Sequence, residues 1–167
     1  SMEDGPQMLD LRQDIIDPVL YELAGELEKN SIVIDNLMGA IPVGRIPIHA
    51  DKIWLKSVFR NLFRNAINHG GSGCRVAFGF QELGTHYRLN VYNSGTPIPE
   101  DRMEKLFTRL GRISSGALTG RSGLGIGLYL VREIIRKHGG NMWYEPRPDG
   151  SDFIFTLAKD PICRDSD

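Results

Sequence analysis

Cysteine is scarce in this chain, with only two in 167 residues. Cys74 and Cys163 stand far apart and lack metal-type spacing, so neither a disulfide framework nor a zinc centre organises the fold, and the usage fits a reducing compartment. Also missing is any run of about 18 apolar residues of the kind that spans a bilayer. The opening Ser1-Met2-Glu3-Asp4-Gly5 has neither a basic segment nor an apolar one to serve as a secretory leader. Neither sign of charge is in surplus: Lys plus Arg is 20, Asp plus Glu is 21, and the net charge is −1. A basic nucleic-acid footprint is therefore not indicated, and no nucleic-acid or direct membrane contact is expected of this segment. Repeats and low-complexity tracts are absent too. With 41% apolar residues the chain can bury one substantial core, and one domain is expected. The residue in excess is glycine, at 19, which is about 11% against a typical 7%.

Residues 1–8 read as a disordered tag or linker remnant, 9–160 as the folded domain and 161–167 as a disordered tail. From Leu9 the spacing of Leu11, Ile15, Ile16, Val19, Leu20, Leu23 and Leu27 predicts a first helix to about Asn30, with Pro18 in its first turn or at a kink. Short strands follow at 31–36 and 46–50. Asp51 is a plausible N-cap for a second helix over 51–69, stopped by Gly70-Gly71-Ser72-Gly73. Residues 75–81 and 86–92 read as an antiparallel hairpin, 100–107 as a short helical piece, and 141–145 with 152–158 as a second hairpin. Residues 111–127 hold six glycines and must form a loop, from which a third amphipathic helix runs to His138-Gly139-Gly140. Hairpins outnumber crossovers, which argues for an α+β or α/β two-layer sandwich with a mixed sheet.

Three features bear chemistry. On the second helix Leu55, Val58, Phe59, Leu62 and Ala66 form the core stripe, and Asn61, Asn65 and Asn68 share one arc at its border. Amides there can bond a polar ligand or give a carbonyl oxygen to a hard cation such as Mg²⁺; they can equally make local backbone bonds. Asn93-Ser94-Gly95-Thr96-Pro97-Ile98-Pro99 ends a strand and, read alone, is a turn. Gly123-Leu124-Gly125-Ile126-Gly127 opens the third helix, where a close backbone approach and unpaired N–H groups favour an anion. The spacing G-x-G-x-G is not the dinucleotide G-x-G-x-x-G, and no Gly-Lys-Ser/Thr of a P-loop is present.

Taken in order, these features make the chain resemble the ATP-binding catalytic domain of bacterial sensor histidine kinases, in the wider group with gyrase, the Hsp90 chaperones and MutL. Asn61-Leu62-Phe63-Arg64-Asn65-Ala66-Ile67-Asn68-His69 is similar to its N box, residues 93–98 to its first glycine box, 106–112 to its F box, and 123–128 to its second glycine box. The resemblance implies a Bergerat fold, with three main helices on one face of the mixed sheet and a glycine-rich ATP lid. It implies ATP and Mg²⁺ as cofactors, Asn65 as the metal ligand, and Asn61 as a catalytic partner standing where gyrase-like relatives carry a water-activating Glu. An amide there disfavours hydrolysis and suits transfer to a protein side chain. By the same resemblance Asn68, His69, Asn93, Gly95, Ile98, Phe107, Arg109, Arg112, Gly123, Leu124, Gly125, Gly127 and Leu128 would surround the nucleotide. His69 serves equally as a helix-terminal cation, and the lid arginines as solvated charges.

The first glycine box departs from the family, with Asn93 for Asp and Pro97 for a second glycine, and Asn68 stands where many relatives have Lys. An Asn can present a donor or an acceptor, so weaker discrimination against guanine is expected. None of His49, His69, His86 or His138 has the acidic neighbour and downstream Pro of a phosphoacceptor. The acceptor histidine is therefore expected on a separate dimerisation domain of the same parent, with a response regulator downstream. The isolated domain is expected to be a cytoplasmic monomer, from a parent that can be anchored in a membrane. A degenerate regulatory module with weak nucleotide binding, and a related ATPase or serine kinase, are the alternatives.

Overall fold

A computed structural model describes residues 7–35, 41–108 and 124–161. The elements are β1 (Gln7–Asp10), a π-helical turn (Leu11–Ile16), α1 (Asp17–Glu22), α2 (Ala24–Lys29), β2 (Val33–Asp35), β3 (Arg45–Ile48), α3 (Lys52–Gly70), β4 (Arg75–Leu83), β5 (His86–Ser94), α4 (Glu100–Met103), α5 (Leu124–Lys137), β6 (Met142–Arg147) and β7 (Gly150–Ala158). Five strands form a mixed sheet in the order β2-β4-β5-β7-β6, with β2 parallel to β4 and the other pairs antiparallel. The expected α+β sandwich with a mixed sheet is the architecture found.

The start of the chain differs from expectation. Residues Gln7–Asp10 pair antiparallel with β3, Leu9 against Ile46, in a separate two-stranded sheet. Ordered structure thus reaches two residues into the segment read as a linker. The single first helix is three pieces. Pro18 lacks the N–H that would bond four residues back, and the chain ahead of it widens into a π turn, capped by the Asp10 carboxylate accepting from Gln13 N at 2.9 Å. A second break at Leu23 divides α1 from α2.

The second helix matches its reading closely; the third begins at Leu124, so residues 124–127 of the stretch read as a loop are helical, and the remainder of that stretch lies outside the described residues. Asp51 caps α3 by accepting from the backbone N–H of Ile53 at 2.8 Å and of Trp54 at 3.3 Å, and Gly71 ends it with φ +76°. Leu55, Val58, Phe59, Leu62, Phe63 and Ala66 are all buried. They meet the sheet through edge-on ring pairs, Phe59 on Phe155 at 5.5 Å and Phe63 on Phe78 at 5.7 Å. Whereas α3 packs on β4 and β5, α5 packs on β6 and β7, and the first helical run lies against α3. Two long helices thus cover the sheet side by side and pack on each other.

Candidate functional site

The asparagines of α3 have distinct fates. Asn65 is buried at 4% exposure, and neither its Nδ2 nor its Oδ1 has a hydrogen-bond partner. An orphaned buried amide costs about 1 to 3 kcal/mol, so its retention points to a ligand that satisfies it. Asn61 donates its Nδ2 to the Ser57 carbonyl at 2.8 Å. Its Oδ1 faces α5: a Cβ placed on Gly127 would lie 3.0 Å from it. The N-box helix and the second glycine box therefore come together at these two residues, and a methyl group at position 127 would press on the amide. Further along, Asn68 is exposed near the end of the helix. His69, next to it, is exposed as well.

The end of β5 closes against the same helix. Asn93 is buried at 1% exposure; its Nδ2 donates to the Ser94 carbonyl at 3.2 Å, and its Oδ1 has no partner. Gly95 adopts φ +132°, a backbone that side chains avoid, and its ideal Cβ position lies 3.6 Å from the Cα of Gly70. Its N–H donates to the Asp149 carbonyl at 2.9 Å, tying the turn to the β6–β7 hairpin. Ile98 is buried, and its N–H donates to the Tyr144 hydroxyl at 2.8 Å.

Phe107 is buried, edge-on to Phe153 at 6.5 Å, with the Arg132 guanidinium 4.6 Å above its ring. Burial, and then Arg136, lowers the Arg132 pKa. Leu124 and Gly125 open α5, Gly127 and Leu128 are buried in it, and its first turn carries no acidic residue, leaving an N-terminus suited to anions. Arg109, Arg112 and Gly123 lie outside the described residues.

The structure thus brings Asn61 to Gly127 and sets Asn65 and Asn93 with unsatisfied amide atoms around the α3–β5–α5 junction. Tyr144 and Ser151 were not anticipated. Their hydroxyls lie 2.9 Å apart, and Ser151 is the cross-strand partner of Asn93. The only sequence signal was a polar side chain on each of two strands otherwise spaced for a core. Among the described residues no cluster of three or more His, Cys, Asp or Glu could hold a metal. A buried, partnerless amide oxygen at Asn65 is the kind of hard donor that Mg²⁺ takes, and Asn65 would be the residue to hold it.

Residues 50–161 match the family described as histidine kinase-, DNA gyrase B- and HSP90-like ATPases. The chain is 29% identical over 154 residues to the adaptive-response sensory kinase SasA of Microcystis aeruginosa, covering 91% of itself and 38% of that relative. It therefore spans well under half the length of the curated relative it matches. The catalytic domain of histidine kinase ThkA, in a nucleotide-free form, superposes with a TM-score of 0.74 at 30% identity, over 92% of this chain and 95% of that one. ThkA in complex with the response regulator TrrA superposes with a TM-score of 0.71 at 30% identity, over 95% of this chain and 43% of that one. With its N box, strand-terminal turn and glycine-opened helix gathered at one junction, the chain belongs to the histidine kinase-, DNA gyrase B- and HSP90-like ATPase family, as an ATP-binding catalytic domain of the sensor histidine kinase type.

Proposed function

We propose that the unit spanning residues 9–160 binds ATP with Mg²⁺ at the junction of α3, the end of β5 and the start of α5. It passes the γ-phosphoryl group to a histidine on a separate dimerisation domain of the same parent, with a response regulator as the next acceptor. The observation that carries this reading is the pairing of two buried, unsatisfied amides, Asn65 and Asn93, with the close approach of Asn61 to Gly127. Asn65 Oδ1 would hold the metal, whose chemistry is neutralisation of phosphate charge. The first-turn N–H groups of α5 receive the phosphates. Asn61 is an amide and no base, so it positions without activating water; an imidazole nitrogen attacks with its own lone pair and needs no carboxylate at position 61. In the transfer a P–N bond forms as the γ-phosphorus to ADP-oxygen bond breaks, and ADP leaves.

Among the described residues no helix is long and apolar enough to cross a membrane. A cytoplasmic location for this domain, with ATP at hand, belongs to the same proposal, as does a monomeric isolated domain.

Calorimetric titration of the domain with ATP, with and without Mg²⁺, tests the reading. The native domain binds in a Mg²⁺-dependent manner, and Asn65→Ala removes that dependence together with most of the affinity. Unchanged Mg²⁺-dependent binding by Asn65→Ala would overturn the metal assignment. Radiolabel from γ-labelled ATP appearing on a histidine of the parent's dimerisation domain, supplied in trans, tests the transfer.

A further inference from the structure

Two imidazoles meet where the root of α3 passes the tail of α5. His49 stands between β3 and α3, and its backbone N–H donates to the Ala158 carbonyl at 2.8 Å. His138 directly follows the last residue of α5, at the other end of that helix from Gly127. The two ring centroids lie 6.1 Å apart with the planes inclined at 57°.

The ring nitrogens of His138 have fixed roles. Its Nδ1 lies 2.6 Å from the Ile134 carbonyl oxygen. A carbonyl can only accept, so Nδ1 carries the proton and the neutral ring keeps its lone pair on Nε2. Histidines that ligate metals are oriented in this way, with the second nitrogen donating to a backbone carbonyl. On His49 the Nδ1 is buried without a partner, and among the described residues no group hydrogen-bonds its ring. Burial first, and then the His138 charge, lowers the His49 pKa, which keeps that ring neutral and able to ligate at neutral pH. His86 is close by but spends both nitrogens, on Thr85 Oγ1 at 2.8 Å and on the Gly139 carbonyl at 3.0 Å.

Metal–imidazole bonds of about 2.1 Å put each ring centroid about 3.2 Å from a bound ion, so two rings on one ion stand no more than about 6.4 Å apart. The observed separation of 6.1 Å is inside that limit. His138 also lines a cavity whose other walls are apolar, among them Ala50, Trp54, Ile134 and Leu157. A hydrophobic shell of this kind restricts water at a metal site and strengthens the hold of its ligands.

We propose that His49 and His138 form a binding site for a divalent late transition-metal ion of the Zn²⁺ and Cu²⁺ class, with His138 ligating through Nε2 and water completing the shell. Imidazole nitrogens suit these ions, whereas Mg²⁺ takes oxygen ligands, so the pair does not compete with Asn65 for its metal. Two protein ligands are too few to organise a fold. The ion instead fastens the root of α3 to the tail of α5. The inference goes beyond nucleotide binding and does not require it.

The test is calorimetric titration of the nucleotide-free domain with Zn²⁺, on the native chain and on His49→Gln, His138→Gln and His86→Gln. The native domain takes up Zn²⁺, and His49→Gln and His138→Gln each weaken the uptake by about 10-fold or more, because losing a ligand costs at least as much as losing an outer-shell partner. His86→Gln binds as the native domain does. Zn²⁺ raises the melting midpoint of the native domain and of His86→Gln, and leaves those of the other two variants in place. Should a variant fail to fold, electron paramagnetic resonance of the native domain with one equivalent of Cu²⁺ decides, since two histidine ligands impose the splitting of two nitrogens. No Zn²⁺ uptake by the native domain, equal weakening in all three variants, or a Cu²⁺ signal with fewer than two nitrogens would overturn the proposal.

Discussion

The amide oxygen of Asn61 faces Gly127 so closely that a methyl group on α5 at that point would stand 3.0 Å from it. Alanine is favoured over glycine in a helix by about 1 kcal/mol. The variant Gly127→Ala should therefore separate two properties. Its thermal midpoint holds or rises, because the helix gains propensity, while Asn61 is pushed aside and ATP affinity falls by about 10-fold. Melting curves and titrations on one preparation check this; parallel losses of both would show a packing defect.

A second prediction concerns pH. His49, half-buried, lies below the ordinary imidazole value through burial first, with the His138 charge adding to it. Between the depressed folded value and the unfolded one, about 6.5, the unfolded chain binds more protons, so stability rises with pH across that window and is lost on acidification. His49 also has a buried Nδ1 with no partner. Denaturant unfolding between about pH 7.5 and 5.5 should show the decline, and His49→Gln should flatten part of it. An unaltered slope in His49→Gln would remove this histidine from the account.

Gly140 follows α5 where the backbone passes very near β7. A Cβ there would fall 1.9 Å from the Thr156 carbonyl oxygen and 2.9 Å from its carbon. Backbone atoms inside a sheet cannot step aside as a flexible side chain can. Gly140→Ala is accordingly expected to destabilise the domain by about 3 kcal/mol or more, measured by urea unfolding.

Arg132 stacks on Phe107. Replacing it with methionine keeps the aliphatic stem and removes the cation, at an expected loss of about 0.5 to 1 kcal/mol. A double-mutant cycle with Phe107→Leu isolates the pair, and a coupling energy indistinguishable from zero would deny it any role.

The sequence exposed the parts of this site that obey local rules. On α3 the apolar stripe, the Asp51 cap and the glycines beyond His69 all point to one helix, so the arc of Asn61 and Asn65 could be placed before any coordinates. The hairpins were readable for the same reason, with turns at Gly84 and Asp149 and alternating strands. Local rules failed where a distant partner decides. Leu9 and Leu11 suit a helix stripe as well as a strand, and pairing with Arg45–Ile48 settles the matter for Leu9. Tyr144 and Ser151 were invisible for a related reason, because their meaning depends on the register that sets Ser151 across from Asn93. No spacing along the chain encodes that pairing.

The small sheet at the start of the chain has a mechanical consequence. Four residues of β1 are zipped onto β3, and β3 leads through His49, Ala50 and Asp51 straight into the helix that carries the asparagines. Any pull on Gln7 must either peel those pairs apart or drag the root of α3 with it. The strand Gln7–Asp10 is thus tied to the root of the helix that carries Asn61 and Asn65, through four backbone pairs and three intervening residues.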